Sequence, residues 1–325
     1  MTARSLLLTG ATSGLGLGLA REFAARTDWH FVMLARTIER VDALSAALRD
    51  TDVHNRAHFV ICDQADLSSV REAAAEIAGF INRGVIPPLS SVVLNAGVLR
   101  RDALQVSVDG LELTLATNLL GAHALLALLS SQLAADARIL IVGSNVIRKA
   151  WWHRMAGVPS PQWRSLDEQC APSVDGPEAY AGSKLGLLYL SLALNKIAPD
   201  GVSSVYFDPG VMPGTNILRE RTRASQIYWR EILPHIAWTF GGVTVSRAAK
   251  TLRPYALHEV PLSGWSHVCV RSKKLYVETA GEADRIRDYF VRANEICGVR
   301  ATDTSPWWWQ TAHLAVGPVI DRNRR

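Results

Sequence analysis

At 325 residues, 48% hydrophobic and 20% charged, the chain carries enough apolar material for one large globular unit and is too apolar for a disordered chain. A net charge of +5, spread without basic clusters interleaved with aromatics, offers nothing to nucleic acid, and Cys62, Cys170, Cys269 and Cys297 lie too far apart for a disulfide framework or a zinc spacing, so no metal is expected. No apolar run approaches the ~20 residues of a membrane span, and without a signal-peptide layout the expected location is the cytoplasm. The preponderance of arginine over lysine looks like the composition of a GC-rich bacterial genome.

In chain order, apolar runs of strand length at residues 5–9, 30–35, 57–62, 91–95, 138–143 and 202–208 precede helical patterns. Continuous apolar runs suit strands buried on both faces of a parallel sheet. The first run opens into TGATSGLG, where Gly10, Gly14 and Gly16, with Thr12, Ser13 and Leu15 between them, form a tight turn into a helix N-terminus whose N–H groups can meet a pyrophosphate. The second run ends Leu34, Ala35, Arg36; an arginine without the acid that would hold a 2′-hydroxyl favours the 2′-phosphate of NADP. After the third, Asp63 and Gln64 are placed for an adenine edge, with Asp66 as an alternative, and after the fourth Asn95, Ala96 and Gly97 make a close turn suited to a ribose.

Asn118 is the polar residue of an apolar helix, read either as a packing amide or as part of the chemistry, and Ser144 follows the fifth strand. Residues 148–178, rich in tryptophan and proline, stand where a short loop is expected. Tyr180 and Lys184 then lie at i and i+4 on one helix face. A tyrosine titrates at about 10, and an adjacent ammonium is expected to draw that value down and make Tyr180 a working acid or base. Pro209 and Gly210 follow the sixth strand, residues 216–244 read as a substrate lid, and residues 301–325 form a tail with Trp307, Trp308 and Trp309 and a basic end, suited to a membrane interface, to folding back over the active site or to a partner subunit.

The order of glycine turn, Asn-Ala-Gly, Asn118, Ser144, Tyr180 with Lys184, and Pro209-Gly210 resembles the short-chain dehydrogenase/reductase family over about residues 4–300. The resemblance implies a Rossmann-type doubly wound α/β fold, a parallel sheet of about seven strands with helices on both faces, in a single domain over residues 1–300. It also implies a catalytic tetrad: Tyr180 as proton donor or acceptor, Ser144 steadying the carbonyl, Lys184 on the nicotinamide ribose and lowering the Tyr180 pKa, Asn118 holding a relay water. Pro209, Gly210, Met212 and, less regularly because of an inserted residue, Thr215 match the stretch that meets the nicotinamide. Leu94 replaces the first Asn of the family's Asn-Asn-Ala-Gly.

The 36-residue separation of Ser144 and Tyr180 resembles the retinol dehydrogenase and protochlorophyllide reductase branch. Val211 stands where the light-driven reductases have cysteine, so that chemistry is not expected. Trp151, Trp152 and His153 in the insertion are the candidate substrate pocket, with covering an apolar patch or an oligomer contact as the alternative for the tryptophans. His123 packs in its helix and takes no mechanistic role. The expected activity is NADP(H)-dependent interconversion of a carbonyl and an alcohol on a bulky hydrophobic substrate; a cofactor-binding sensor or scaffold of the same fold is the alternative. Association with further copies of the chain is left open.

Overall fold

The computed structural model describes residues 3–23, 28–100, 104–148, 158–162, 164–212, 242–270 and 282–315. Trp151, Trp152, His153 and Thr215, residues 216–241 of the expected lid and the basic end of the tail lie outside the described residues.

Seven strands, β1 (Arg4–Leu8), β2 (Trp29–Ala35), β3 (Ala57–Ile61), β4 (Leu89–Leu94), β5 (Leu133–Val142), β6 (Ser203–Asp208) and β7 (Trp265–Cys269), form one parallel sheet in the order β3-β2-β1-β4-β5-β6-β7. Every residue of β4 and of β6 is buried, including Ser90 and Ser91 in β4 and Ser203, Ser204 and Asp208 in β6, as in a parallel sheet covered on both faces. The order reverses between β1 and β4, which opens a crevice at the carboxyl ends of those strands.

The described helices are α1 (Gly14–Phe23), α2 (Ile38–Leu48), α3 (Leu67–Asn82), a helical run made of α4 (Leu113–Leu115), a π-helical turn (Ala116–Leu120) and α5 (Gly121–Leu128), then α6 (Leu166–Cys170), α7 (Gly176–Ile197), α8 (Val245–Ala256) and α9 (Glu282–Ile296). They divide between the two faces of the sheet. Leu6, Leu8, Phe31 and Phe207 share a core with α1 and α8, while the alternate residues Leu7, Val32 and Ile141 share one with α3, α5, α7 and α9. No described helix is long and apolar enough to cross a membrane.

Two segments differ from the sequence reading. The described part of the insertion holds α6, started by a capping box in which Ser165 accepts from the Glu168 N–H and the Glu168 carboxylate from the Ser165 N–H. Residues 301–315 pack on the protein itself: Trp308 is fully buried, its ring tilted against Phe290 (centroids 5.0 Å apart) and edge-on to His123 (5.4 Å), and it donates its indole N–H to Asn294 Oδ1 at 2.9 Å. The segment folds back onto the protein's own helices.

Candidate active site

The turn after β1 is shaped by glycines. Gly10 and Gly14 hold φ of +64° and +53°, in the left-handed region that suits glycine. A Cβ on Gly10 would lie 2.8 Å from the Ala96 Cα, and one on Gly16 would strike the Gly10 carbonyl. The result is a bare backbone floor at the crevice, facing the unpaired first-turn N–H groups of α1, whose first turn carries no acid. Thr12 and Ser13 are half-buried on this turn, and the Leu15 side chain is buried in the core, leaving its backbone N–H as its contribution.

Thr9, not singled out from the sequence, holds the floor together. Its hydroxyl accepts from the N–H groups of Asn95 and Ala96 at 2.9 Å each, and Asn95 Nδ2 donates back to the carbonyls of Thr9 (2.9 Å) and Gly10 (3.2 Å). Arg36 is exposed at the end of β2. Asp63 accepts from the Ala65 N–H at 3.0 Å, and the buried Gln64 leaves its Nε2 without a protein partner. Asp66 caps α3, accepting from the N–H groups of Ser68 and Ser69. A glycine cradle, free helix N–H groups, an exposed arginine and an orphaned buried amide fit a dinucleotide phosphate.

Asn118 and Lys184 meet at Gly97, where an added Cβ would sit 3.4 Å from Asn118 Oδ1 and 3.6 Å from Lys184 Nζ. The Ser144 side chain acts on the Tyr180 phenol to hold its pKa down against burial, Lys184 Nζ donates to the Val142 carbonyl at 3.0 Å, and that ammonium lies 5.7 Å from the centre of the Tyr180 ring. Asn118 accepts from the Val98 N–H (2.7 Å) and donates to the Val98 carbonyl (2.9 Å) and to Ser183 Oγ (3.1 Å). Ser183 in turn donates to the Tyr180 carbonyl at 2.8 Å. The Asn118 amide is therefore a positioning group, tying the turn after β4 to α7, and it sits in the π-helical turn, a distortion frequent at functional sites.

One electrostatic expectation is overturned. Burial pushes the Tyr180 phenol above its ordinary value, the Ser144 hydrogen bond pulls it back, and the Asp208 charge raises it further. Lys184 does not depress it in this state, because its Nζ is turned to the Val142 carbonyl and is itself desolvated, its pKa brought down to about 8.

Tyr206, on β6, reads from sequence as a core tyrosine, yet its hydroxyl accepts from the Ser144 N–H at 3.2 Å and donates to the Lys184 carbonyl at 3.2 Å. Its ring presses on Gly143, where any Cβ would collide with it. Gly210 (φ +75°) donates its N–H to Asp208 Oδ1 at 2.9 Å, while Met212 packs against the core shared with α1 and α8, so its described role is packing. Tyr180 belongs to a small apolar cluster with Leu99, Val146, Val158 and Ala181; Val158 comes from the insertion, the one described sign that this segment reaches the reacting group.

The short chain dehydrogenase family model matches residues 4–156. Protochlorophyllide reductase B, chloroplastic, of Oryza sativa subsp. japonica is 30% identical over 271 residues, covering 76% of this chain and 64% of that protein. Polyprenol dehydrogenase of Mus musculus is 32% identical over 218 residues, covering 64% and 60%. The chain thus spans about three-fifths of the length of these curated relatives. Among solved structures, the angucycline C-6 ketoreductase LanV with bound NADP superposes with a TM-score of 0.58 over 83% of this chain and 94% of its own at 16% identity, a likeness of fold. With the family model covering its glycine turn through Ser144, and with relatives that match well beyond that point, the chain belongs to the short-chain dehydrogenase/reductase family.

Proposed function

We propose that the chain is an NADPH-dependent oxidoreductase that interconverts a carbonyl and an alcohol on a bulky apolar substrate. The observation that carries this reading is the Tyr180 phenol, seated among Leu99, Val146 and Val158 with the Lys184 ammonium 5.7 Å from the centre of its ring. NADPH, when bound, supplies the hydride. The backbone from Gly10 to Gly16 takes its pyrophosphate, Arg36 its 2′-phosphate, Asp63 and Gln64 its adenine, Asn95, Ala96, Gly97 and Lys184 its ribose, and Pro209, Gly210 and Thr215 the nicotinamide side.

Ser144 donates a hydrogen bond to the substrate oxygen as negative charge grows there. Tyr180, a phenol protonated at neutral pH, passes its proton to that oxygen in the reductive direction. The apolar cluster excludes water from the exchange. An apolar substrate is further supported by the names of the relatives, one a polyprenol dehydrogenase and one an angucycline ketoreductase, and NADP by its presence in the latter.

The test is Tyr180→Phe assayed by NADPH oxidation against a panel of bulky ketones. Turnover is expected to fall roughly 10²–10⁴-fold, the usual worth of a general acid, while NADPH binding persists. Near-normal turnover in that variant would end the proposal.

A further inference from the structure

At the carboxyl ends of β6 and β7, beyond the catalytic residues, three side chains of metal-binding chemistry converge. The parallel register pairs Asp208 with Cys269, and His267 lies two residues before Cys269, so strand alternation places both β7 side chains on one face. Their ligand atoms all lie within 4.8 Å of one another. Cys269 Sγ is 3.3 Å from His267 Nε2 and 3.7 Å from Asp208 Oδ2.

The two separations from sulfur match the edges of a coordination tetrahedron. Zinc bonds of about 2.3 Å to sulfur and about 2.0–2.1 Å to nitrogen or oxygen, at the tetrahedral angle, put the sulfur about 3.6 Å from each of the other donors. The surroundings hold the donors in place. Asp208 Oδ1 accepts from the Gly210 N–H, which turns Oδ2 to the cluster, and the His267 ring packs edge-on to Tyr206, centroids 5.5 Å apart. Asp208 and His267 are buried, and Cys269 keeps partial exposure, giving an ion a way in.

We infer that Asp208, His267 and Cys269 form a site for one divalent transition-metal ion of the zinc class, which staples the end of β6 to the end of β7. A thiolate, an imidazole and a carboxylate favour Zn²⁺ or Co²⁺ over Mg²⁺ or Ca²⁺. Binding replaces the Cys269 S–H bond by a metal–sulfur bond, and the proton leaves to solvent without any change of oxidation state. Sequence spacing hides the site, because Asp208 joins the other two only through strand pairing.

The test titrates the metal-free full chain with Co²⁺ under anaerobic conditions. One Co²⁺ per chain is expected, with thiolate-to-cobalt charge-transfer absorption that Zn²⁺ abolishes by displacement. In Cys269→Ser that absorption disappears and affinity falls at least ~10²-fold, whereas Cys62→Ser keeps both. A second readout needs no variant: Zn²⁺ protects Cys269 from iodoacetamide in the native chain, mapped by peptide mass spectrometry. Absence of the charge-transfer band in the unsubstituted protein, equal uptake by Cys269→Ser, or alkylation of Cys269 indifferent to Zn²⁺ would each overturn the assignment.

Discussion

Arg36 and Tyr206 make their contributions in opposite ways. Arg36 is exposed at the end of β2 and offers a planar, permanently charged donor fork where an acidic residue would repel a phosphate. Arg36→Asp is expected to lower the preference for NADPH over NADH by about 10–100-fold, the worth of one charged hydrogen bond of about 1.5–3 kcal/mol. Paired kcat/KM measurements with the two cofactors check this, and an unchanged ratio removes the 2′-phosphate reading. Tyr206 is wholly buried, and its hydroxyl joins the backbone of Ser144 to that of Lys184. Tyr206→Phe leaves the part-buried Ser144 N–H without its partner and is expected to cost about 1–3 kcal/mol of stability. In steady-state kinetics its kcat should fall while KM for NADPH stays near the original value, because the glycine floor is untouched. Arg36 is legible from sequence as the residue after a strand; Tyr206 is not, since a tyrosine in a buried strand looks like packing until Gly143 and Ser144 are seen against it.

Among the elements, the pair α5 and α9 carries a pH dependence. His123 is fully buried, donates from Nε2 to Asn294 Oδ1 at 2.8 Å, and stands 3.2 Å by Nδ1 from the Tyr289 hydroxyl. The indole of Trp308 can only donate, which fixes the oxygen of Asn294 as the acceptor for both rings. Burial brings the His123 pKa down from 6.5 to about 4. Between those values the unfolded chain binds a proton that the fold refuses, so stability is full above about pH 6.5 and declines as pH falls toward about 4, by on the order of 3 kcal/mol for this residue. Urea unfolding from pH 7.5 down to pH 4.5 should show the decline, with a shallower slope in His123→Leu; equal slopes would exclude His123 as its source. Six strands are legible from continuous apolar runs, but β7 is not, because Ser266 and His267 break its apolar pattern. The five-residue α6 is too short for its period to show.

For the molecule as a whole, closure of the core depends on the C-terminal segment. Nearly all of α7 is buried, which a helix achieves only with cover on both sides; the sheet supplies one side, and α9 with residues 301–315 supplies the other. A chain ending at residue 300 loses Trp308 and is expected to be less stable by at least the roughly 3–5 kcal/mol of a buried Trp→Ala change. Trp309→Ala, by contrast, should shift the urea midpoint little, since that ring is 36% exposed. Three consecutive tryptophans give no hint in sequence of which one is the plug; only their packing against His123 and Phe290 separates them. The doubly wound parallel sheet of about seven strands, in contrast, is legible through the family resemblance that the succession of motifs carries, while the strand order is seen only in the structure. The π-helical turn at Ala116–Leu120 bears on this closure as well. It is a surplus residue in the helical repeat, and it sets the angular phase of one rod whose two ends answer to different masters: Asn118 must meet Val98 in the crevice, and His123 must meet Asn294 beneath Trp308. Winding the same residues as regular α-helix would rotate everything after the turn by roughly the 100° of one residue, so the active site and the C-terminal plug could no longer both be satisfied by the same helix.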